Sequence, residues 1–329
     1  MADAKKILIV GAGGIGLKHV RAFNAAGAPV ELTAVEPRPE ARARAEEMGA
    51  KALDCAWESV SLSDFDGVVI CAPAPMHITM AKRCLVEGVP VLSEKPLSHA
   101  WEGVEELVEL ARRPGASTSG VAYTRRYVPA HQHLRAMLAS GELGQIPVLR
   151  MSVGQPFTTY RPDYRQIYYA NRQMGGGCTL DFASHFIDLA QFYLGRIASA
   201  RGYARHLVLE GVSVEDTGAI SFEFAGSGAL GSLSINQYQP VYENLIDFCG
   251  PDACLRLVEP SYETRIWRRG SDGWEDIPLP QGDYIEGLRL QAAAFLAAID
   301  GGPAMSCSIE EAANTLRVCL DIMKTSGID

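Results

Sequence analysis

Three residues of this chain have types and spacings suited to moving a proton while a hydride moves elsewhere. Lys95 stands in "VLSEKPL", and Asp181 and His185 lie in "GGGCTLDFASHFID", which begins at Gly175. Histidine titrates near neutrality and is the natural acid–base group for a hydroxyl proton. A lysine next to a φ-fixing proline can be held towards the same oxygen and stabilise a developing alkoxide. A carboxylate nearby can position a substrate or tune both neighbours electrostatically. At about 100° per residue, positions 181, 185 and 188 fall within roughly a 60° sector of one helix face. Glycines 175–177 free the backbone to pass close to a cofactor or substrate. Each group also has a plainer reading. Asp181 in a first helical turn suits the helix dipole, Thr179 suits an N-cap, and His185 suits a satisfied core histidine. Glu94-Lys95, taken alone, suits a surface pair, and Asp188 is read as structural.

A cofactor beside these residues would decide between the readings, and the N-terminal stretch supplies a candidate. "KILIVGAGGIGLKHVRAF" carries Gly11, Gly13 and Gly16 in G-x-G-x-x-G, with Gly14 and Ile15 completing the loop, after a strand and at the start of a helix. The first glycine permits a tight turn, the second lets the backbone approach a pyrophosphate, and the third allows close strand–helix packing. Glu36, at the end of the next strand, is placed to accept hydrogen bonds from adenosine ribose hydroxyls, which favours NAD over NADP. Arg38, two residues on, is a group able to accept a 2′-phosphate or simply a solvated charge at a helix start.

These motifs need elements to position them. Strands are expected at 6–10, 30–35, 67–72, 89–93 and 117–123, with helical periodicity at Pro39–Met48 and Ile78–Glu87 between them. Apolar strands alternating with helices point to a parallel sheet covered on both faces. Beyond residue 125 a helix at 129–140 and a strand at 148–154 precede alternating runs at 200–209, 217–224, 228–238, 244–249, 253–258 and 263–268. Glycine-centred turns link these into an antiparallel sheet of meander type, and two helices, 285–299 and 308–325, follow. The expected fold class is α/β: a Rossmann domain over 1–123, then an α+β domain over 124–329 with an open, mainly antiparallel sheet. One face of that sheet is expected to pack on the Asp–His helix.

The chain has 329 residues, 47% hydrophobic and 21% charged, with a net charge of −9, which speaks for a globular protein and against nucleic acid or an anionic membrane as main partner. Eight scattered cysteines without a CxxC pair suggest reduced thiols, and no span of 18 apolar residues occurs, so a cytoplasmic location is expected. His131-x-His133 has no third ligand near it in sequence, and no metal is expected. In "YRPDYRQIYYANR", Tyr164, Arg165, Tyr169 and Arg172, with Arg161, are candidates to stack on a sugar ring or clamp an acid; a loop covering an interface fits equally. Arg126 and Tyr238 complete the substrate candidates.

Taken together, the glycine loop, "EKP" and GGG-x-x-x-D-x-x-x-H-x-x-D resemble the Gfo/Idh/MocA family of sugar and polyol oxidoreductases. "YTRRYVPAHQHLRAML" and "LQAAAFLAAIDGG" extend the resemblance over nearly the whole chain. It implies that Lys95, Asp181 and His185 form the catalytic set. It also implies that NAD, in preference to NADP, is the cofactor, with Cys71, Ala72, Pro73, His77, Glu94 and Lys95 beside the nicotinamide half. The implied reaction is hydride transfer between nicotinamide C4 and a hydroxyl-bearing ring carbon, in a homodimer or homotetramer. Ala74 stands where many relatives have Asn, and "VAYTRRY" differs from their commoner forms. Redox-assisted glycoside cleavage and a cofactor-bound regulator without turnover are the rival readings.

Overall fold

Short runs of Ile, Val and Leu bounded by glycine or proline become the strands of the N-terminal half. β1 (Lys5–Val10), β2 (Val30–Val35), β3 (Lys51–Leu53), β4 (Gly67–Ile70), β5 (Val91–Ser93) and β6 (Gly120–Val121) form one sheet. The structure is a computed structural model that describes residues 3–328. The strand order is β3-β2-β1-β4-β5-β6, and every pairing is parallel. Helices α1 (Gly14–Asn24), α2 (Pro39–Glu47), α3 (Ala74–Val86) and α4 (Val104–Ala111) make the crossovers. β4 and β5 are buried at every residue, as expected of strands covered on both faces. The order reverses between β1 and β4, and the carboxyl ends of strands at such a reversal are where open α/β sheets bind ligands.

In the C-terminal half, α5 (Pro129–Ser140), β7 (Val148–Gly154), α6 (Phe157–Tyr160) and α7 (Ser184–Leu194) precede β8 (Ile197–Arg205), β9 (Thr217–Phe224) and β10 (Leu230–Asn236). β11 (Glu243–Cys249), β12 (Ala253–Glu259), β13 (Glu263–Arg268) and β14 (Glu275–Asp276) follow, then α8 (Tyr284–Ile299) and α9 (Ile309–Thr325). The sheet runs β14-β13-β12-β11-β7-β10-β9-β8. It is not the single meander expected. β8–β10 and β11–β14 are separate meanders, and β7 lies between them, parallel to β10 and antiparallel to β11. β9 and β10 alternate buried and exposed residues, so one face is apolar. That face packs on α7: Tyr193 meets Phe248 of β11 edge-on, with ring centroids 4.9 Å apart.

The compact units are discontinuous in sequence. Residues up to Val128 group with Tyr284–Ala313, and Pro129–Asp283 groups with the residues from Asn314 on. The sequence reading places everything from residue 124 in the second half; the difference is 124–128 and the segment Tyr284–Ala313, most of it α8. Its Leu288, Ala292, Phe295 and Leu296 are buried with Val20 and Phe23 of α1 in one apolar cluster. Phe295 meets Phe23 edge-on at 6.3 Å, and a Cβ on Gly67 would come within 2.9 Å of the Phe295 ring. Among the described residues, no helix is long and apolar enough to cross a membrane.

Candidate active site

The glycine loop joins β1 to α1. Gly11 has φ +94°, a left-handed conformation, and a Cβ there would meet the Cys71 carbonyl oxygen at 2.8 Å. A Cβ on Gly16 would overlap the Gly11 carbonyl, whereas one on Gly14 would meet nothing within 4 Å. Two glycines therefore allow the chain to pack on itself, and the loop stays open on its other side. α1 starts at Gly14 with no acidic residue in its first turn, leaving an N-terminus suited to an anion.

Glu36, just past β2, is 3% exposed. Its Oε2 accepts from the Ala12 N–H at 2.8 Å and from Arg38 Nη2 at 3.1 Å; its Oε1 accepts from Arg38 Nε at 2.8 Å and the Arg38 N–H at 3.1 Å. Burial pushes this carboxyl up, but the hydrogen bonds from Arg38 and Ala12 outweigh it and hold the group below its ordinary value. These residues suit a dinucleotide: an unobstructed glycine loop at a helix N-terminus, with an ionised carboxylate beyond the second strand.

Lys95 follows β5, and its peptide bond to Pro96 is cis. The residues around it are tied to the nucleotide loops. Glu94, 6% exposed, pairs through Oε1 with His19 Nε2 of α1 at 2.7 Å, and its Oε2 accepts from the Lys95 N–H at 3.1 Å. His77 of α3 is 1% exposed, with Nδ1 2.8 Å from the Pro96 carbonyl oxygen and Nε2 2.8 Å from that of Ala72. Buried side chains thus fix the backbone on both sides of Lys95, while Lys95 itself is half-buried. Cys71 and Ala72 are half-buried and Pro73, the residue capping α3, is exposed.

In the second unit the glycine triplet serves local packing first. A Cβ on Gly176 would overlap the Tyr169 carbonyl, and one on Gly177 would come within 2.7 Å of the Glu215 carboxylate. Glu215, 1% exposed, accepts from the Thr179 N–H at 3.1 Å and pairs with Arg172 at 3.3 Å. A carboxylate from a distant loop therefore takes the capping role assigned to Thr179, whose side chain is buried in the turn that follows. That turn, Thr179–Ala183, is π-helical, and α7 begins only at Ser184. A π turn is wider than an α turn, so the regular 100° advance does not hold between Asp181 and His185. Such turns recur at functional sites. Asp181 is 9% exposed and accepts from the Tyr168 hydroxyl at 2.7 Å; Asp188 is wholly buried, and His185 is half-buried.

Several proposed substrate residues are placed differently from expectation. Tyr164 and Tyr169 are buried with Phe157, Leu209 and Val214; Tyr164 donates to the Glu210 carbonyl at 2.6 Å and Tyr169 to Gln237. Arg165 stacks over Tyr164 and donates to the same Glu210 carbonyl at 2.8 Å, and Arg172 serves Glu215. Arg126, 1% exposed, pairs with Glu311 at 2.9 Å and donates to the Ser306 carbonyl within the first unit, because burial obliges a guanidinium to find acceptors. His131 is also spent on structure, 2.7 Å from the Tyr193 hydroxyl and 2.9 Å from Glu259. The sequence reading missed Tyr168, Glu215 and His19. Only His19 left a signal, since it shares the buried face of α1 with Gly16, Val20 and Phe23.

Comparison with known proteins agrees with this architecture. Residues 5–121 match the model of an oxidoreductase family with an NAD-binding Rossmann fold, and residues 131–256 match the GFO/IDH/MocA C-terminal domain. An inositol 2-dehydrogenase of Rubrobacter xylanophilus is 28% identical over 292 residues, 83% of this chain and 78% of that one. One from Corynebacterium glutamicum is 30% identical over 166 residues, 48% of this chain and about half (49%) of its own length. Among solved structures, a levoglucosan dehydrogenase in complex with NADH and levoglucosan superposes with a TM-score of 0.87 at 20% identity, covering 99% of this chain and 98% of its own. An Agrobacterium radiobacter oxidoreductase in complex with NAD+, L-tartaric acid and magnesium does so at 0.84 and 17%, covering 99% and 97%. With both halves matched in order, the chain belongs to the GFO/IDH/MocA family of oxidoreductases, and its first unit is an NAD-binding Rossmann domain.

Proposed function

We propose that this chain is an NAD(H)-dependent dehydrogenase acting on a secondary alcohol of a sugar, sugar acid or polyol. The observation that carries the reading is the Asp181 carboxylate, nine-tenths buried, hydrogen-bonded by Tyr168 and four residues from the half-buried imidazole of His185. Bound nicotinamide supplies the hydride acceptor or donor. In this reading His185 takes the hydroxyl proton during oxidation and returns it during reduction. Lys95, held from both sides by Glu94 and His77, donates a hydrogen bond to the same oxygen and stabilises the charge that develops there. Asp181 orients the substrate hydroxyl through its carboxylate. Asp188, wholly buried, supports the helix.

Relatives named inositol 2-dehydrogenase make cyclitols the first compounds to test. Sugars and sugar acids are screened with NAD+ by NADH absorbance, and His185→Ala is expected to lower turnover by about 10²–10⁴-fold with NAD+ binding unchanged. Turnover close to wild type in that variant would remove His185 from the acid–base role. Glycoside cleavage without net NADH would favour redox-assisted hydrolysis instead, and NAD+ binding with no turnover a regulator. The outer face of the larger sheet, with Tyr203, Leu230 and Trp267 exposed, supports a homodimer or homotetramer, which light scattering would measure.

A further inference from the structure

His19 is a polar residue on an otherwise apolar face. Gly16, Leu17, Val20, Ala22 and Phe23 make up the rest of the buried side of α1, and the His19 side chain among them is 1% exposed. Its Nε2 lies 2.7 Å from Glu94 Oε1, and its Nδ1 is buried with no hydrogen-bonding partner among the described residues. Leucine or phenylalanine would pack α1 at lower cost, since an imidazole nitrogen buried without a partner loses hydration and recovers nothing. What the imidazole supplies instead is a donor. An ionised carboxylate only accepts, so Nε2 carries the proton and fixes one oxygen of Glu94.

Glu94 passes that constraint on. Its N–H donates to the Ile70 carbonyl at 2.9 Å, which ties its backbone to the end of β4. Its other carboxylate oxygen, Oε2, accepts from the Lys95 N–H at 3.1 Å. The same carboxylate is near enough to Cys71 to add to the rise that burial imposes on that thiol. Cys71 in turn adjoins the glycine loop, where a Cβ on Gly16 would be 3.5 Å from the Cys71 Cβ. A carboxylate held at one oxygen can swing and take the Lys95 backbone with it; one clamped at both cannot. His77 restrains the Pro96 side of Lys95, and His19 governs the other side.

We propose that His19 is a positioning residue: acting through Glu94, it holds Lys95 in register with the dinucleotide bound at the glycine loop. His19 belongs to the helix that the loop opens, so the contacts run from that helix to Glu94 and on to the Lys95 backbone. The proposal rests on the reading that Lys95 acts at the substrate oxygen, and its test separates the two.

The first readout, on the full-length protein, needs no substrate. Lysine labelling by trinitrobenzenesulfonate, followed peptide by peptide in a mass spectrometer, reads Lys95 with and without saturating NAD+, and exposed Lys51 is the internal control. Hydrogen bonds to a charged group favour the held position by about tenfold to a hundredfold. Bound NAD+ is therefore expected to slow Lys95 labelling by at least about tenfold in wild type but by less than about threefold in His19→Leu. His19→Gln, whose amide nitrogen replaces Nε2 as a donor, is expected to restore the protection. NAD+ affinity by calorimetry is expected to stay within about threefold in all three proteins, a split that general loosening of α1 does not produce. His19→Phe repeats the comparison should His19→Leu lower the thermal midpoint.

The second readout is NAD+-dependent oxidation of myo-inositol. His19→Leu is expected to lower kcat by about tenfold to a hundredfold with KM for NAD+ unchanged. In a Lys95→Met background it should lower kcat no further, because both changes act on one group. Full protection of Lys95 in NAD+-bound His19→Leu, or additive losses in the double variant, would overturn the role of His19. Wild-type kcat in Lys95→Met would instead overturn the reading of Lys95. The labelling result decides His19 whichever polyol the enzyme uses.

Discussion

Tyr168 is 43% exposed and donates to Asp181, whereas Tyr164, 3% exposed, donates to a backbone carbonyl that Arg165 also reaches. Residue type and spacing do not separate the two tyrosines, because the turns through 157–174 are irregular, so sequence alone favours the buried Tyr164 and passes over Tyr168. The structure separates them by consequence. Tyr168→Phe removes a hydrogen bond to a charged group and is expected to lower kcat/KM by about tenfold or more. Tyr164→Phe should leave kcat/KM unchanged and reduce stability by about 1 kcal/mol, since Glu210 keeps its bond from Arg165. Steady-state kinetics with denaturant titrations of both variants measure this, and equal kinetic effects would remove Tyr168 from the site. His77 adds a pH effect. Burial, opposed by the Ala72 and Pro96 carbonyls, holds its imidazole below the ordinary 6.5. The unfolded chain therefore takes up this proton more readily than the folded one. His77 contributes fully above about pH 6.5, and the contribution is lost as pH falls through the lower folded value. Urea midpoints are expected to drop more steeply between about pH 7 and pH 5 in wild type than in His77→Gln.

At the scale of elements, the strands whose residues are β-branched and apolar were legible within a few residues of their ends, and so were α5, α8 and α9. β3 was not, because "KAL" has three residues and no β-branched side chain, and forms only by pairing with β2. The place of β7 was hidden for another reason: alternation shows which face a strand buries, not which strands lie beside it. The π turn was hidden too, since a periodic reading presumes the α advance throughout. In the site, the catalytic candidates and the glycine loop carry local signatures, but Glu215 acts on Thr179 from 36 positions away and leaves none. Its role is measurable. Glu215→Ala strips the first N–H of that turn of its acceptor and Arg172 of its partner, and should cost about 1–3 kcal/mol by chemical denaturation. Arg172→Ala, at a side chain 30% exposed, should cost less than about 1 kcal/mol. The reverse ranking would mean that Glu215 does not organise the start of the Asp181 turn.

At the scale of the whole molecule, order along the chain and membership of a unit diverge. β6 ends at Val121, yet the nucleotide unit is completed by a helix that begins at Tyr284. The sequence offers an apolar helix at 285–299 without its destination, because a helix's apolar stripe says that it is covered and not by what. Complementary packing supplies the answer: Phe295 is fully buried, edge-on to Phe23, over a glycine that leaves it room at the start of β4. Phe295→Ala is therefore expected to destabilise the nucleotide unit by about 3–5 kcal/mol, the usual cost of removing a buried aromatic ring. The loss should fall on NAD+-dependent behaviour although residue 295 lies far from the glycine loop in sequence. Saturating NAD+, bound only by the folded unit, should restore about 2.7 kcal/mol at a hundredfold excess over its Kd. Thermal melts of wild type and Phe295→Ala with and without NAD+ test both parts. A midpoint unaffected by the substitution would show that α8 does not hold the nucleotide unit together.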